Sequence, residues 1–517
     1  MIIYKNNAKG FIEDVETNKI VEQLELKMVE NFGRRVGDSE KRSWNNSMQF
    51  MGNVVRRSKV EESTGILLEY NLPSTSKRID FIVAGHDESG NKNFIITELK
   101  QWEKAESTDV PDIVRTYVGS ANRDVSHPSY QATSYKLYLK DYNENIYNGD
   151  LHAYSCAYLH NYKENSPEPL HAEIYKDSLK ESPLFLKDDS VKLEEFYQKY
   201  VGKGDGENIL YLIESGKIRP SKKLIDHVGK IFSGNKEFTL LDEQKIAYET
   251  ALNIAIKPRA KKQVIIIKGG PGTGKSVISM NLVYGTLSKQ LNSVFVAPNA
   301  SFRDVMVKKL AKEHKMTRIK HLFKGSGSVV DSKINSFDVI ITDEAHRLKN
   351  ASAYMYRGVN QVDDIINAGF TTIFFVDDNQ MIRPDDIGST SEIKRVARIY
   401  DAQVTELELT AQFRCSGADG YINWLDDVFH IKKTGNFDGW DKKDFDFKIF
   451  DNPNDLYSDI KAKHDNGLSA RMLAGYAWNW TKNGNGDADV EDVEILEHNF
   501  KMPWNSRKVG TTWAIDA

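Results

Sequence analysis

Cysteine is nearly absent: Cys156 and Cys415 are the only two in 517 residues, and they lie far apart. That excludes a disulfide-stapled secreted scaffold and a cysteine-based zinc site, and it implies a reducing compartment, the cytoplasm. No run approaches the ~18 apolar residues of a membrane span. The first residues, Met1-Ile2-Ile3-Tyr4-Lys5-Asn6-Asn7, lack the long apolar core of a signal peptide. There is no repeat at a fixed period and no low-complexity tract. Positive charge is not in excess either: the net charge is −4, so any contact with nucleic acid has to be a local stripe. What is present is material for a core. Hydrophobic residues make up 40% and charged residues 28%, a globular composition without a disordered signature. The length suggests about three or four folding units.

The most informative segment begins with Val264-Ile265-Ile266-Ile267, which reads as a buried parallel strand. Gly269-Gly270-Pro271-Gly272-Thr273-Gly274-Lys275-Ser276 follows, then an apolar helix from Val277. A G-x-x-x-x-G-K-S loop between strand and helix is a phosphate site, with backbone N–H groups and the helix N-terminus facing the anion. Lys275 would neutralise the β- and γ-phosphates of ATP, and Ser276 would ligate Mg²⁺. A second buried strand, Phe337 to Thr342, ends in Asp343-Glu344-Ala345-His346. Asp343 belongs where the metal partner of such a loop sits, and Glu344 is placed to polarise the attacking water. A third strand, Thr372 to Val376, ends in Asp377-Asp378-Asn379-Gln380, and Gln380 is placed to sense the γ-phosphate.

The amino-terminal third carries different chemistry. Arg78 to Ala84 and Asn93 to Lys100 read as a hairpin. Centring its turn on Ser89 puts Asp80 opposite Glu98, with Cβ atoms about 5 Å apart, close enough to share one cation. Lys100 projects from the same face as Glu98. Charges crowded on an apolar hairpin favour Mg²⁺ between the acids and a lysine near an attacking water; a surface salt bridge is the alternative. Further on, a helix opened by Pro128 places Gln131 and Tyr135 one turn apart on one face.

Two resemblances follow from these residues. Gln244, the phosphate loop, Pro298-Asn299, Asp343-Glu344 and Leu409-Thr410-Ala411-Gln412-Phe413-Arg414 stand in an order that resembles superfamily 1 helicases over about residues 236–480, closest to a bacterial branch related to the helicase-like domain of Schlafen proteins. That resemblance implies that Gln244 contacts adenine, that Pro298-Asn299 touches a single strand, and that Arg414 reaches the γ-phosphate. Asp80, Glu98-x-Lys100 and Gln131-x-x-x-Tyr135 resemble the PD-(D/E)xK nuclease fold, in particular its RecB-like members, over about residues 20–160. It implies that Asp80 and Glu98 bind Mg²⁺, that Lys100 orients the hydroxide, that Gln131 and Tyr135 steady the site, and that Glu40 is a supporting glutamate on the preceding helix.

The expected architecture is α/β throughout: a PD-(D/E)xK restriction-endonuclease-like domain at 1–170, a helical connector at 171–235, a P-loop RecA-like lobe at 236–410, and a partial second lobe at 411–517. Ala470 to Tyr476 reads as a strand of that second lobe. The last motifs of the helicase family have no counterpart before Ala517, so weak ATP hydrolysis and no processive unwinding are expected. The expected function is a Mg²⁺-dependent nuclease coupled to a helicase-like ATPase, in defence against foreign DNA or in repair. DNA is favoured over RNA as partner, no membrane is involved, and a protein partner or second copy stays open. The alternatives are a nucleotide-gated nucleic-acid-binding switch without cleavage, and an RNA-cleaving Schlafen-like toxin. Lys217 to Lys223 could track phosphates, but a solvated helix face is the better account of them; Trp478 and Trp480 could stack bases, and packing of the second lobe explains them equally well.

Overall fold

The computed structural model describes residues 3–32, 36–72, 77–118, 121–147, 149, 151–216, 240–258, 260–299, 303–304, 306–307, 322–351, 356–411, 419–431, 446–468, 470–474, 477–478 and 490–503. By contact density the chain divides into Met1–Val296 with Ser326–Phe445, and Ala297–Gly325 with Asp446–Ala517. This division departs from a second lobe starting at residue 411.

The first unit holds two large sheets. In the amino-terminal one the order is Tyr4–Asn7, Gly65–Asn71, Arg78–His86, Lys92–Leu99, His152–Leu159, Leu184–Leu186. The first four strands are antiparallel neighbours, and the last two add in parallel. Helices cover both faces, which is why its strands read as continuous apolar runs. Phe81, Val83 and Ile95 pack with Phe11, Trp44, Met51 and Tyr197 on one face. Ile82, Ala84, Phe94 and Ile96 pack with Tyr135, Leu139, Ile209 and Leu210 on the other. Alternation breaks at Glu69 and Asp80: Leu68 and Phe81 belong to the first face, Tyr70 and Ile79 to the second. Glu69 takes φ 51°, in the left-handed region, and no residue is added to either strand, since Leu68 faces Phe81 and Tyr70 faces Ile79 on its two sides.

The helical connector expected at 171–235 is not what the structure shows. Up to Ser215 these residues are part of the first domain. Leu184–Leu186 completes the sheet, Tyr197 and Val201 enter one core, and Ile209, Leu210 and Ile213 enter the other. Residues 217–239, with the lysine-rich Lys217 to Lys223, lie outside the described residues. A small antiparallel sheet, Ala105–Ser107, Ile113–Val118 and Ala121–Ser126, intervenes between Lys100 and the helix Pro128–Tyr142.

In the second sheet, strands run in the order Ser293–Val296, Phe337–Thr342, Gly369–Val376, Gln263–Gly269, Gln403–Leu409, each parallel to the next, and the two-residue strand Phe323–Lys324 adds a sixth beside Ser293–Val296. The phosphate-loop strand is flanked on both sides, and Gly369–Val376 separates it from the strand that leads to Asp343. At the opposite end, buried Lys262 stitches the sheet: its Nζ donates to the carbonyls of Ile366 at 2.7 Å, Asn367 at 3.0 Å and Gly369 at 2.7 Å. Lys262→Met should strand these acceptors and cost about 1–3 kcal/mol, read as a lower urea midpoint at unchanged slope.

In the second unit, the helix Pro453–Asp465 starts at Asn452, whose side chain accepts from the Asn454 amide. Val493–Ile495 and Phe500–Met502 form a hairpin. Trp478 donates its indole N–H to the Glu494 carbonyl at 2.9 Å, in keeping with the packing account of this residue. Residues 470–474 form no strand, contrary to expectation. Gly475, Tyr476, Trp480 and the last stretch from Val509 lie outside the described residues.

Candidate functional site

The phosphate loop bends through Gly272 and Gly274, at φ 81° and 87°, which a side chain would resist. Lys275 opens the helix Lys275–Ser288 and folds back onto the loop, its Nζ donating to the carbonyls of Gly269 at 2.6 Å and Gly270 at 2.9 Å. Ser276 and Asp343 meet: the hydroxyl donates to Asp343 Oδ2 at 2.8 Å. Burial, followed by the neighbouring Glu344 charge, pushes the Asp343 carboxyl up to about 6. A hydroxyl and a desolvated carboxylate beside a phosphate loop are a donor set that suits Mg²⁺.

Glu344 stands at φ 51°, and its Oε2 lies 3.0 Å from Nε2 of fully buried His346. The His346 Nδ1 accepts the Asp377 amide at 3.3 Å, which leaves the proton on Nε2, facing Glu344. The approach of the His346 side chain, ahead of other causes, holds the Glu344 carboxyl below its ordinary range. The sequence assigns His346 no role beyond its place in the motif; the structure makes it the residue that orients the candidate base. Gln380 is half-buried on the turn Asp378–Gln380 at the end of the strand inserted between the loop and Asp343.

Gln244, expected at the adenine, is buried with both ends of its amide occupied. Its Nε2 donates to the Thr273 carbonyl at 3.0 Å, and its Oε1 accepts the Leu241 amide at 3.3 Å. In this structure it grips the phosphate loop. Pro298 and Asn299 fall in the other contact unit from the loop. Arg414 lies outside the described residues.

On the first sheet, the register sets Phe81 against Thr97, which leaves Asp80 and Glu98 as the next residues along their strands, and each feels the other's charge or hydrogen bond. Asp80 Oδ2 accepts the Leu99 amide at 2.9 Å, and Lys100 Nζ donates to Glu98 Oε1 at 2.6 Å. Glu98 Oε2 is buried without a hydrogen-bond partner. Burial, reinforced by the Asp80 charge, pushes Glu98 up to about 8. Burial works against a charged Lys100, but Glu98 and Asp80 outweigh it and raise its pKa. Two buried acids beside one lysine are a donor set that a divalent cation fits, because a bound cation would supply the positive charge that burial now makes Glu98 answer by keeping its proton. Among the described residues, however, no group of three or more His, Cys, Asp or Glu converges as a metal cluster.

A cavity of about 370 Å³ opens beside this pair, lined by Glu40, Glu69, Arg78, Asp80, Gln131 and Tyr135 among others. Arg78 bridges Glu69 at 2.9 Å and Glu40 at 3.2 Å, so the expected supporting glutamate is ion-paired. Gln131 Nε2 donates to Tyr135 Oη at 2.9 Å. Sequence reading missed Glu69, which the Trp44 indole holds at 2.8 Å and which burial, partly offset by Arg78, pushes up to about 7. It also missed Lys77 and Asp242. An acid at a break in strand alternation was the available signal for Glu69.

No helix among the described residues is long and apolar enough to cross a membrane. Residues 262–517, just under half of the chain, match the family model described as Schlafen group 3, DNA/RNA helicase domain. An uncharacterized protein of Saccharomyces cerevisiae is 28% identical over 284 residues, 47% of this chain and 59% of that protein, so the chain covers well under two thirds of this relative. A DNA replication initiation factor matches at TM-score 0.21 and 15% identity, over 44% of this chain and 61% of its own. The replication initiator DnaA bound to AMPPCP and single-stranded DNA matches at TM-score 0.20 and 15% identity, over 43% and 61%. Scores this low carry no weight beside the loop geometry and the family match. The phosphate loop on its parallel sheet, with Ser276 on Asp343, and the similarity of residues 262–517 to a helicase domain together support a nucleotide-binding domain of the P-loop ATPase type.

Proposed function

We propose that the chain is an ATP-dependent nucleic-acid-processing enzyme in which a PD-(D/E)xK-type nuclease is joined to a helicase-like ATPase. The observation that carries the nuclease half is the buried Asp80–Glu98 pair with Lys100 on Glu98 Oε1. Asp80 and Glu98 would hold Mg²⁺, which when bound lends positive charge to a scissile phosphate and acidifies water. Lys100 would orient the attacking hydroxide, and Gln131 with Tyr135 would steady the site and the substrate backbone. On the ATPase side, Lys275 would hold phosphates, Ser276 and Asp343 Mg²⁺, and Glu344 the attacking water; Gln380 and Arg414 would sense the γ-phosphate. DNA is the proposed substrate, and a role in defence or repair rests on architectural analogy.

A second reading is a nucleotide-gated nucleic-acid-binding switch without cleavage. The engagement of Glu40 and Glu69 by Arg78 favours it, because both acids are then committed to an ion pair. Incubating the purified chain with labelled single- and double-stranded DNA and RNA separates the readings. With Mg²⁺, cleavage of DNA that chelator abolishes is expected. Binding without cleavage would select the switch, and cleavage confined to RNA would select a toxin-like activity.

A further inference from the structure

Three consecutive residues at the head of the helix Asp242–Ile256 reach three different places. Asp242 lines the carboxylate cavity, where its Oδ2 accepts from Tyr135 Oη at 3.0 Å and pairs with Lys77 at 3.0 Å. Its Oδ1 is buried and accepts no hydrogen bond. Glu243 also pairs with Lys77, at 3.0 Å, and accepts from Thr410 Oγ1 at 3.1 Å, just past the strand Gln403–Leu409. Gln244 holds the Thr273 carbonyl of the phosphate loop at 3.0 Å. A Cβ on Gly274 would collide with the Gln244 amide, so the loop and this side chain are in close contact.

The turn is anchored to the first domain as well. Tyr130 Oη donates to the Leu240 carbonyl at 2.7 Å, and Leu241 is buried in the core that contains Tyr135, Tyr138 and Leu139. Asp242 itself is held at φ 37°. Consecutive residues on a rigid helix start cannot move independently. To hold a nucleotide, Lys275 has to leave the Gly269 and Gly270 carbonyls for phosphate oxygens, and the Thr273 segment between them has to adjust. Gln244 is bonded to that segment, and Asp242 is two residues away.

We propose that Asp242 is a positioning residue of the carboxylate cavity supplied by the ATPase domain, and that the Asp242-Glu243-Gln244 turn transmits the state of the phosphate loop to that cavity. The proposal rests on the reading of the loop as the nucleotide site. Its physical content is a coupling free energy, and such coupling is reciprocal: altering the cavity end has to alter nucleotide affinity. No cleavage assay is therefore needed to test it.

The test is a double-mutant cycle on the affinity of the intact chain for a fluorescent ATP analogue with Mg²⁺, using wild type, Tyr135→Phe, Gln244→Ala and the double variant. Tyr135→Phe removes the hydroxyl that holds Asp242 and lies in the cavity, away from the loop. It should shift nucleotide affinity on the order of five-fold. In the Gln244→Ala background, where the link to Thr273 is cut, the same change should have an effect of less than about two-fold. Lys77→Met, which releases Asp242 and Glu243 together, should repeat the pattern and stands in if Tyr135→Phe lowers the melting temperature strongly. No shift in either cavity variant, or equal shifts in both backgrounds, would overturn the coupling while leaving the nucleotide site intact. Wild type that binds no nucleotide would remove the nucleotide site and the coupling together.

Discussion

Glu98→Gln and Asp80→Asn should each reduce Mg²⁺-dependent cleavage by more than about 100-fold while leaving ATP hydrolysis measured without nucleic acid close to wild type. Loss of a residue that merely supports a metal ligand costs about 10–100-fold, so loss of a ligand should exceed that. The amide variants suit the test because they preserve shape. The amide oxygen introduced at position 98 would still accept from Lys100, and the one at position 80 from the Leu99 amide, so the hairpin keeps its hydrogen bonds. What each removes is one negative charge of a fully buried pair. Neither side chain bonds Asp242, which Tyr135 and Lys77 hold, so turnover at saturating ATP should not follow. Cleavage that survives in both variants, or in excess chelator, would place the chemistry elsewhere and sink the PD-(D/E)xK reading.

Two substitutions should divide ATP binding from ATP hydrolysis. Lys275→Ala is expected to weaken nucleotide binding about 10–100-fold or more, since one hydrogen bond to a charged group is worth about 1.5–3 kcal/mol. The fold should survive, because the bonds from Lys275 to the Gly269 and Gly270 carbonyls are ones that a bound nucleotide would itself displace. Glu344→Gln should leave nucleotide affinity within a few-fold of wild type and lower turnover by about 10²–10⁴-fold, the usual worth of a general base. His346 and the Asp377 amide keep that side chain oriented, so the loss would report chemistry and not position. Equal turnover in Glu344→Gln and wild type would assign the base to another residue. Unchanged affinity in Lys275→Ala would contradict the phosphate site itself.

Local features were legible in the sequence. The phosphate loop depends on contiguous glycines and a helix start, and nothing distant is needed to shape it. The register that sets Phe81 against Thr97 follows from where the turn is centred, because antiparallel register is set by the turn. The pairing of Ser276 with Asp343 was legible because two buried strands, each ending in functional side chains, have to align their carboxyl ends in a parallel sheet.

Non-local features were not. Strand periodicity cannot say that Gly369–Val376 enters between the phosphate-loop strand and Phe337–Thr342, since crossover connections choose the neighbours. Nor could it show that Leu184–Leu186 extends the first sheet, or that the helices Ser190–Val201 and Gly206–Ser215 belong to its cores. A three-residue strand and two amphipathic helices are compatible with any partner that covers them. Glu69 was hidden because strict alternation mis-assigns a residue where a left-handed backbone swaps the two faces of the strand. Asp242 was hidden for the opposite reason. Its neighbour Gln244 marks it as part of an ATPase motif, and only the docking of that helix on the first domain brings its carboxylate to Tyr135 and Lys77. The motifs that suggest each candidate chemistry are legible because each is built from residues close together along the chain. That the carboxylate cavity and the phosphate loop meet at the start of one helix emerges only on folding, because Asp242 and Gln244 find partners far away along the chain.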